Sequence, residues 1–351
     1  MLTVCTECGK EHRDSGIYEC PACGCIVLPR YESLQGPLAD PGASGIWKYS
    51  RLLPPVAAEH RIYLGEGSTP LIPSVRLGKR LGIGALYFKY EGGNPTGSYK
   101  DRIAAMCLSW ALARGRKACI GTSSGNAGAA TAAYAARAGI PYHLFVLEHM
   151  AEAKLAQVLV HRAAVRKIRG FGTEPEIGDE VFSRVFKAAA KHGWEVTVTA
   201  YRYNPYAMEG VKTMSFEIFE QLGGEAPTRV FAPAGGGGLY CGLWKGFAEL
   251  HAFGLSSAVP DMIAVQPDAA PTSYALTRPV RPIRRPVRQP PSYPACRCRI
   301  RLTAGSRCGS WPAAKAALLP YRMRIFGKRS GSLPRRKAFF ASRPGLQRWP
   351  D

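Results

Sequence analysis

The chain has 351 residues, with 47 Lys and Arg against 25 Asp and Glu, which gives a formal charge of +22. Its length corresponds to about two domains, and its 46% hydrophobic content excludes a chain that is disordered throughout. No apolar run reaches the ~18 residues of a membrane helix, and the first ten residues lack the apolar core of a signal peptide. We therefore predict a cytoplasmic protein with no membrane partner, whose 11 cysteines stay reduced.

The positive charge is concentrated in the C-terminal part of the chain. Residues 269–351 hold 19 basic residues and one acid, a net charge of +18, together with 12 of the 28 prolines. Residues 1–268 hold the remaining 28 basic and 24 acidic residues, a net charge of +4. The two parts differ in composition, and we predict that residues 271–351 form a basic, Pro- and Arg-rich tail that is not natively folded.

Two C-x-x-C pairs lie near the start of the chain, and their four cysteines are Cys5, Cys8, Cys20 and Cys23. Two such pairs can present four thiolates tetrahedrally to Zn²⁺, and a glycine follows each pair, as the tight turn requires. Free or redox-active cysteines are the alternative, and Cys25 could replace Cys23 as a ligand. We predict a small zinc-ribbon-like module over residues 1–30, with a structural zinc ion.

Apolar strand patterns alternate with alanine-rich helical patterns between residues 45 and 270. Strand candidates lie at 85–90, 117–124, 142–148, 195–200, 229–235 and 262–267. Helix candidates lie at 103–113, 127–139, 153–163, 211–223 and 239–250. Such alternation is typical of parallel βαβ units, so we predict an α/β fold for this domain.

Three polar, glycine-rich loops lie where a predicted strand meets a predicted helix, a junction whose free N–H groups attract anions. The first loop ends in Lys100, where the positive end of a helix favours the neutral amine that Schiff-base chemistry needs. The second, residues 123–128, offers two hydroxyls, helix N–H groups and the Asn126 amide. The third, residues 234–239, has four consecutive glycines, which suit the close approach of a phosphate to the backbone.

Each loop also has a purely structural interpretation. Lys100 could be a solvated surface lysine, the Ser and Asn side chains could cap a helix, and the glycines could form a flexible linker. Taken together, however, an imine-forming lysine, a phosphate loop and a loop for a carboxylate and a phenolic oxygen indicate a pyridoxal-phosphate site.

These residues resemble the pyridoxal-phosphate enzymes of fold type II and, among them, the threonine synthases. The matching segments are residues 65–71, 94–102, 123–126, 204–213 and the tetraglycine loop. The resemblance implies two parallel-sheet αβ subdomains, preceded by the zinc-ribbon-like module that also occurs in relatives. It implies a lyase of threonine biosynthesis that converts O-phosphohomoserine and water to threonine and phosphate. Cysteate synthase and threonine or serine dehydratase share the three loops and remain alternatives.

The resemblance also implies a role for each loop residue. Lys100 would bind pyridoxal 5'-phosphate as a Schiff base and then act as the mobile acid and base, and Asn126 would bond the 3'-oxygen of the pyridine ring. The substrate α-carboxylate would be bound by Ser123, Ser124 and Ala127. The cofactor phosphate would be held by Gly235, Gly236, Gly237, Gly238 and Leu239. Candidates for the substrate phosphate are Arg102, Lys154 and Lys212.

The resemblance covers residues 1–268, whereas the family continues with elements that close its large domain. We expect the change at about residue 270 to weaken or abolish cofactor binding. A frame-shifted 3' end is the favoured origin of the tail, because the break is abrupt and Arg, Pro, Ala and Gly are common in out-of-frame reading of GC-rich DNA. A solvated extension and a nucleic-acid-binding arm on an inactive remnant are the alternatives. A small amino-acid substrate is the expected partner, nucleic acid is not, and a homodimer is common for the fold type.

Overall fold

A computed structural model of the protein describes residues 1–13 and 16–265. The predicted tail at 271–351 lies outside these residues. The helices within the described residues are α1 (Leu77–Leu81), α2 (Lys100–Ala113), α3 (Asn126–Ala138), α4 (Glu152–Leu159), α5 (Pro175–His192), α6 (Pro205–Gln221) and α7 (Gly238–Ala252). The strands are β1 (Leu2–Cys5), β2 (Glu11–His12), β3 (Val27–Arg30), β4 (Leu71–Pro73), β5 (Tyr87–Lys89), β6 (Cys119–Thr122), β7 (Tyr142–Leu147), β8 (Ala164–Ile168), β9 (Glu195–Val196), β10 (Arg229–Pro233) and β11 (Asp261–Val265).

Two of the sheets are parallel, and they carry the loops of interest. Strands β8, β7, β6 and β9 form one parallel sheet in that order, and β10 pairs with β11 in the second. Antiparallel pairing joins β2, β1 and β3 near the N-terminus, and β4 with β5. Helices α3, α4 and α7 each connect two neighbouring parallel strands, so the α/β prediction with parallel sheet is confirmed.

Helix α6 is the centre of the packing, since 15 of its 17 residues are buried. Helix α2 packs on one side of it and α7 on the other. Both contacts use glycine: a Cβ at Gly210 of α6 would overlap the carbonyl of Arg102 on α2, and one at Gly246 of α7 would lie 2.6 Å from the Lys212 carbonyl. The missing side chains therefore let three helix backbones approach closely.

Several element boundaries differ from the sequence prediction. Helix α6 begins at Pro205, six residues before the predicted start at 211, because the Asn204 side chain caps it by accepting from the Ala207 N–H at 2.9 Å. The predicted strand 195–200 is regular only over β9, and Thr199 falls in the segment between β9 and α6. Within the described residues, no helix is long and apolar enough to cross a membrane.

Candidate active site

Lys100 is the first residue of α2, and its side chain meets a residue from a distant segment. Its Nζ donates a hydrogen bond to Thr199 Oγ1 at 2.9 Å and lies 4.8 Å from the centre of the Tyr99 ring. The Thr199 carbonyl lies 3.9 Å from the position that a Cβ on Gly238 would take. Thr199 therefore lies between the lysine loop and the tetraglycine loop. The residues around Thr199 form no recognisable motif, so the sequence did not predict this position.

The loop before Lys100 is held by a buried acid. Asp101 accepts hydrogen bonds from the Thr96 hydroxyl at 2.8 Å and from the Thr96 N–H at 3.2 Å. Burial raises the pKa of Asp101 to about 6, and the hydrogen bonds to its carboxylate act in the opposite direction. This contact closes the turn over residues 96–101 and fixes the backbone from which the Lys100 side chain extends.

Arg102 follows directly, but its guanidinium is completely buried and paired in the protein core. It contacts both carboxylate oxygens of Glu217 on α6 at 2.6 and 2.8 Å, and both of Glu91 at 2.8 and 2.9 Å. Burial would raise the pKa of Glu217, but Arg102 and Lys89 outweigh it and lower that pKa to about 2. The sequence prediction that Arg102 is available to a substrate phosphate is therefore wrong.

Lys212 is also paired inside the protein. Its ammonium lies 2.7 Å from carboxylate oxygens of both Glu209 and Glu249, and 3.9 Å from the centre of the Tyr31 ring. The side chain has no exposure to solvent. A charge buried between two acids is a structural pair, so the prediction of a substrate contact for Lys212 is wrong as well.

The serine loop, residues 123–128, caps a helix and also presents hydroxyl and N–H groups, the two interpretations that its sequence allowed. Ser123 Oγ accepts from the N–H groups of Gly125 at 3.3 Å and Gly128 at 2.9 Å, as a capping side chain does. Ser124 Oγ accepts from the Leu147 N–H at 2.9 Å, at the end of β7. A hydroxyl that accepts can still donate. The N–H groups of residues 126 and 127 lie in the first turn of α3, where intrahelical acceptors are missing.

The Asn126 side chain contacts helix α4. Lys154 Nζ donates to Asn126 Oδ1 at 2.6 Å, and Lys154 lies in the first turn of that helix, half-buried. Of the three cations predicted for the substrate phosphate, Lys154 is thus the one placed beside a predicted cofactor ligand. Its partner could not be predicted from the sequence, because the two residues are 28 positions apart.

The tetraglycine loop leads from β10 into α7. Gly237 has a φ of +76°, a conformation that side chains other than glycine rarely adopt, and its carbonyl accepts the first helical hydrogen bond, from the Cys241 N–H at 2.9 Å. The N–H groups of residues 238 and 239 lie in the first turn of the helix. A left-handed glycine before a helix N-terminus is a geometry that suits a phosphate.

A comparison with protein families shows which family the chain belongs to. The family described as "Pyridoxal-phosphate dependent enzyme" matches residues 62–306, more than half of the chain. The chain belongs to this family. The match continues past residue 270, so the predicted domain limits of 45–270 and 271–351 stay predictions.

Several curated relatives of this chain are threonine synthases. The chain is 35% identical over 272 residues to the threonine synthase of Methanosarcina acetivorans, which covers 76% of this chain and 64% of the relative. It is 35% identical over 277 residues to that of Methanocaldococcus jannaschii, covering 77% and 66%. It is 40% identical over 205 residues to that of Halalkalibacterium halodurans, covering 58% and 55%. The predicted likeness to threonine synthases is confirmed, and the chain spans between half and two thirds of these relatives.

A solved structure supports the fold. The holo diaminopropionate ammonia lyase of Escherichia coli is 21% identical, with a TM-score of 0.52, and the likeness covers 62% of this chain and 59% of that chain. At this identity the likeness concerns the fold alone, and it agrees with the family match.

The four N-terminal cysteines lie together in one cluster. Their sulfur atoms are all within 4.8 Å of one another, with Cys5 and Cys23 at 3.4 Å and Cys8 at 3.7 Å from both Cys20 and Cys23. Sulfurs of a tetrahedral zinc site are about 3.8 Å apart, so the donor set and its spacing fit Zn²⁺. Cys25 is outside this group, and its thiol contacts the Cys23 carbonyl at 3.5 Å.

The cysteine module packs against the segment that contains Thr199. Tyr18 donates to Glu195 Oε1 at 2.8 Å, and Asn204 Nδ2 donates to the same oxygen at 2.8 Å. Arg202 Nη1 donates to the Gly24 carbonyl at 2.6 Å. The module therefore supports both ends of the irregular segment from β9 to α6.

Proposed function

We propose that the chain is a pyridoxal-phosphate-dependent lyase of the threonine synthase type, acting on O-phosphohomoserine. The observation that carries the proposal is the position of Lys100 Nζ at the start of α2, held by Thr199, whose carbonyl lies 3.9 Å from the position of a Cβ on Gly238 in the tetraglycine loop. The likeness to threonine synthases at 35–40% identity supports the choice of substrate. Cysteate synthase and threonine or serine dehydratase activities are the alternatives.

The residues fit the cofactor. A lysine for the covalent bond, an amide for the ring oxygen and N–H groups at a helix start for the phosphate are the groups that pyridoxal phosphate needs. In this proposal Lys100 bonds the cofactor and Asn126 bonds its 3'-oxygen. The cofactor phosphate is held by Gly235, Gly236, Gly237, Gly238 and Leu239. When bound, the cofactor supplies the electron sink that stabilises negative charge at the substrate Cα.

The remaining steps use the chain's own residues. Ser123, Ser124 and the N–H of Ala127 orient the substrate through its α-carboxylate. Lys100 Nζ removes the α-proton and returns protons during the later steps. Loss of a proton from Cβ accompanies departure of phosphate from Cγ. Return of protons to Cγ and Cα and addition of water at Cβ then give threonine and phosphate.

Two measurements test the proposal on the full chain. Borohydride reduction in the presence of pyridoxal phosphate should fix the cofactor on Lys100, located by peptide mass spectrometry, and Lys100→Arg should abolish that adduct. Because the composition of the chain changes at about residue 270, we expect low affinity, and the titration should extend to millimolar cofactor. Phosphate release from O-phosphohomoserine supports the proposal, whereas keto-acid formation from threonine without phosphate release supports a dehydratase. Absence of an adduct on Lys100 would refute both.

We further propose that the four-cysteine group holds a structural Zn²⁺. The four thiolates leave no open coordination position, so the ion stabilises the module over residues 1–30 and takes no part in the reaction. Cytoplasmic location, the homodimer and the tail's origin stay predictions.

A further inference from the structure

In the hydrogen bond between Lys154 and Asn126, the donor is Lys154 and the acceptor is Asn126. A lysine ammonium can only donate, so the Asn126 atom 2.6 Å from Lys154 Nζ is the amide oxygen. Within the described part of the chain, Lys154 pairs with no carboxylate. The ammonium is therefore used to hold this amide and not to stabilise an ion pair.

Fixing the oxygen of the amide also fixes its nitrogen. Asn126 Nδ2 lies on the opposite side of the amide from Lys154, and among the described residues it has no hydrogen-bond partner. Its two N–H groups are thus left available for an acceptor, while an amide turned the other way would place two N–H groups against the ammonium.

Helix α4 is in turn connected to the lysine loop. Gln157 Nε2, one turn after Lys154, contacts the Thr96 carbonyl at 3.4 Å, and Thr96 is held by Asp101 beside Lys100. Lys154 therefore sits on a helix that contacts both the lysine loop and the start of α3.

From these contacts we infer that Lys154 is a positioning residue: it sets the orientation of the Asn126 amide so that its N–H end faces the cofactor. The inference rests on the proposed function, in which Asn126 donates to the cofactor's 3'-oxygen. Lys154 acts through Asn126, and its effect on cofactor affinity should vanish when Asn126 is removed.

A double-mutant cycle on pyridoxal-phosphate affinity tests this inference. Equilibrium dialysis of the full chain would compare the wild type with Lys154→Met, Asn126→Ala and the double variant. Lys154→Met should weaken binding about tenfold in the wild-type background, since it removes one charge-assisted hydrogen bond, and should change nothing in the Asn126→Ala background. Lys154→Arg should restore most of the affinity, and Lys187→Met, at an exposed lysine of α5, serves as the control.

Each other outcome has a defined meaning. An equal loss in both backgrounds would overturn the inference, because Lys154 would then act directly as a charge on the ligand. No loss in the wild-type background would overturn it as well. If the wild-type chain binds no cofactor at millimolar concentration, the proposed function fails and this inference fails with it, a result distinct from the other two. Circular dichroism of each variant would exclude loss of folding as the cause.

Discussion

Thr199 accepts the hydrogen bond from Lys100 Nζ at 2.9 Å, although the two residues are 99 positions apart. Thr199 is also the residue whose carbonyl lies next to Gly238. One side chain and its backbone therefore set the distance between the lysine that would bond the cofactor and the loop that would hold its phosphate.

Removing the Thr199 hydroxyl should lower the yield of cofactor on Lys100. A hydrogen bond contributes about 0.5–1.5 kcal/mol, so Thr199→Val should reduce the borohydride-trapped adduct by about two- to tenfold at subsaturating cofactor. Thr199→Ser keeps the hydroxyl and should retain most of the yield. Equal yields from the Val and Ser variants would show that the hydroxyl has no role.

Zinc content should depend on Cys8 and not on Cys25. Both residues lie in the same module, but only Cys8 belongs to the four-sulfur group. We expect about one zinc ion per wild-type chain and per Cys25→Ser chain. Cys8→Ser should lose most of the metal and have a lower melting temperature. Metal analysis by mass spectrometry measures this, and equal zinc loss in both variants would contradict the assignment.

Gly210→Ala should destabilise the protein because α2 and α6 touch at this position. The added Cβ would overlap the Arg102 carbonyl, which is backbone and cannot rotate away. Overpacking of this kind costs typically about 1–3 kcal/mol. Gly84→Ala is a suitable control, since nothing lies within 4 Å of its added Cβ and its φ is not positive. Urea unfolding should separate the two variants, and similar midpoints would contradict the close helix contact.

The stability of the protein should fall as the pH rises through the range in which Glu66 loses its proton. Glu66 is fully buried and accepts hydrogen bonds from Tyr134 Oη at 2.8 Å and the Leu64 N–H at 3.0 Å. Burial raises its pKa from 4.5 to about 7, so between these values the folded state holds a proton that the unfolded state has lost. Under this linkage the free energy of unfolding decreases across that window.

Glu66→Gln should remove this dependence. From pH 5 to pH 8 the wild type should lose about 2.5 kcal/mol more of its unfolding free energy than the variant. Glu195 and Asp101, whose pKa values burial raises to about 7 and about 6, change stability in the same direction. Glu195 is present in each protein and so cancels in the difference, whereas the charge of Asp101 raises the pKa of Glu66 and belongs to the effect that the variant removes. Parallel pH profiles of wild type and variant would contradict the buried, proton-binding state of Glu66.

The fold and the site's loops could be predicted because their signals are local. A hydrophobic strand, a glycine-rich turn and an alanine-rich helix follow one another within about thirty residues in each βαβ unit, and the first turn of each helix has free N–H groups wherever it lies. The place of Lys100 at the N-terminal end of α2 and the loops before α3 and α7 follow from such patterns, although α2 begins three residues before the predicted helix 103–113.

What the sequence did not predict depends on contacts between distant segments. Arg102 and Lys212 are adjacent to predicted site residues or motifs, yet their acidic partners place them in the core. Thr199 lies in a run of alternating residues that resembles a strand, but that strand ends after Val196. Strand β8 was not predicted because none of its five residues is buried, so its hydrophobic pattern is weak.

Glu217 has a consequence for the order in which the protein can assemble on the ribosome. This carboxylate of α6 bonds the Ser68 N–H, Lys89 and Arg102, which precede it by 149, 128 and 115 residues. Since synthesis proceeds from the N-terminus, the nascent chain carries Arg102 without this partner until α6 leaves the exit tunnel. The helix that presents Lys100 can therefore reach its final packing only late in synthesis, and until then its apolar face is exposed and favours aggregation.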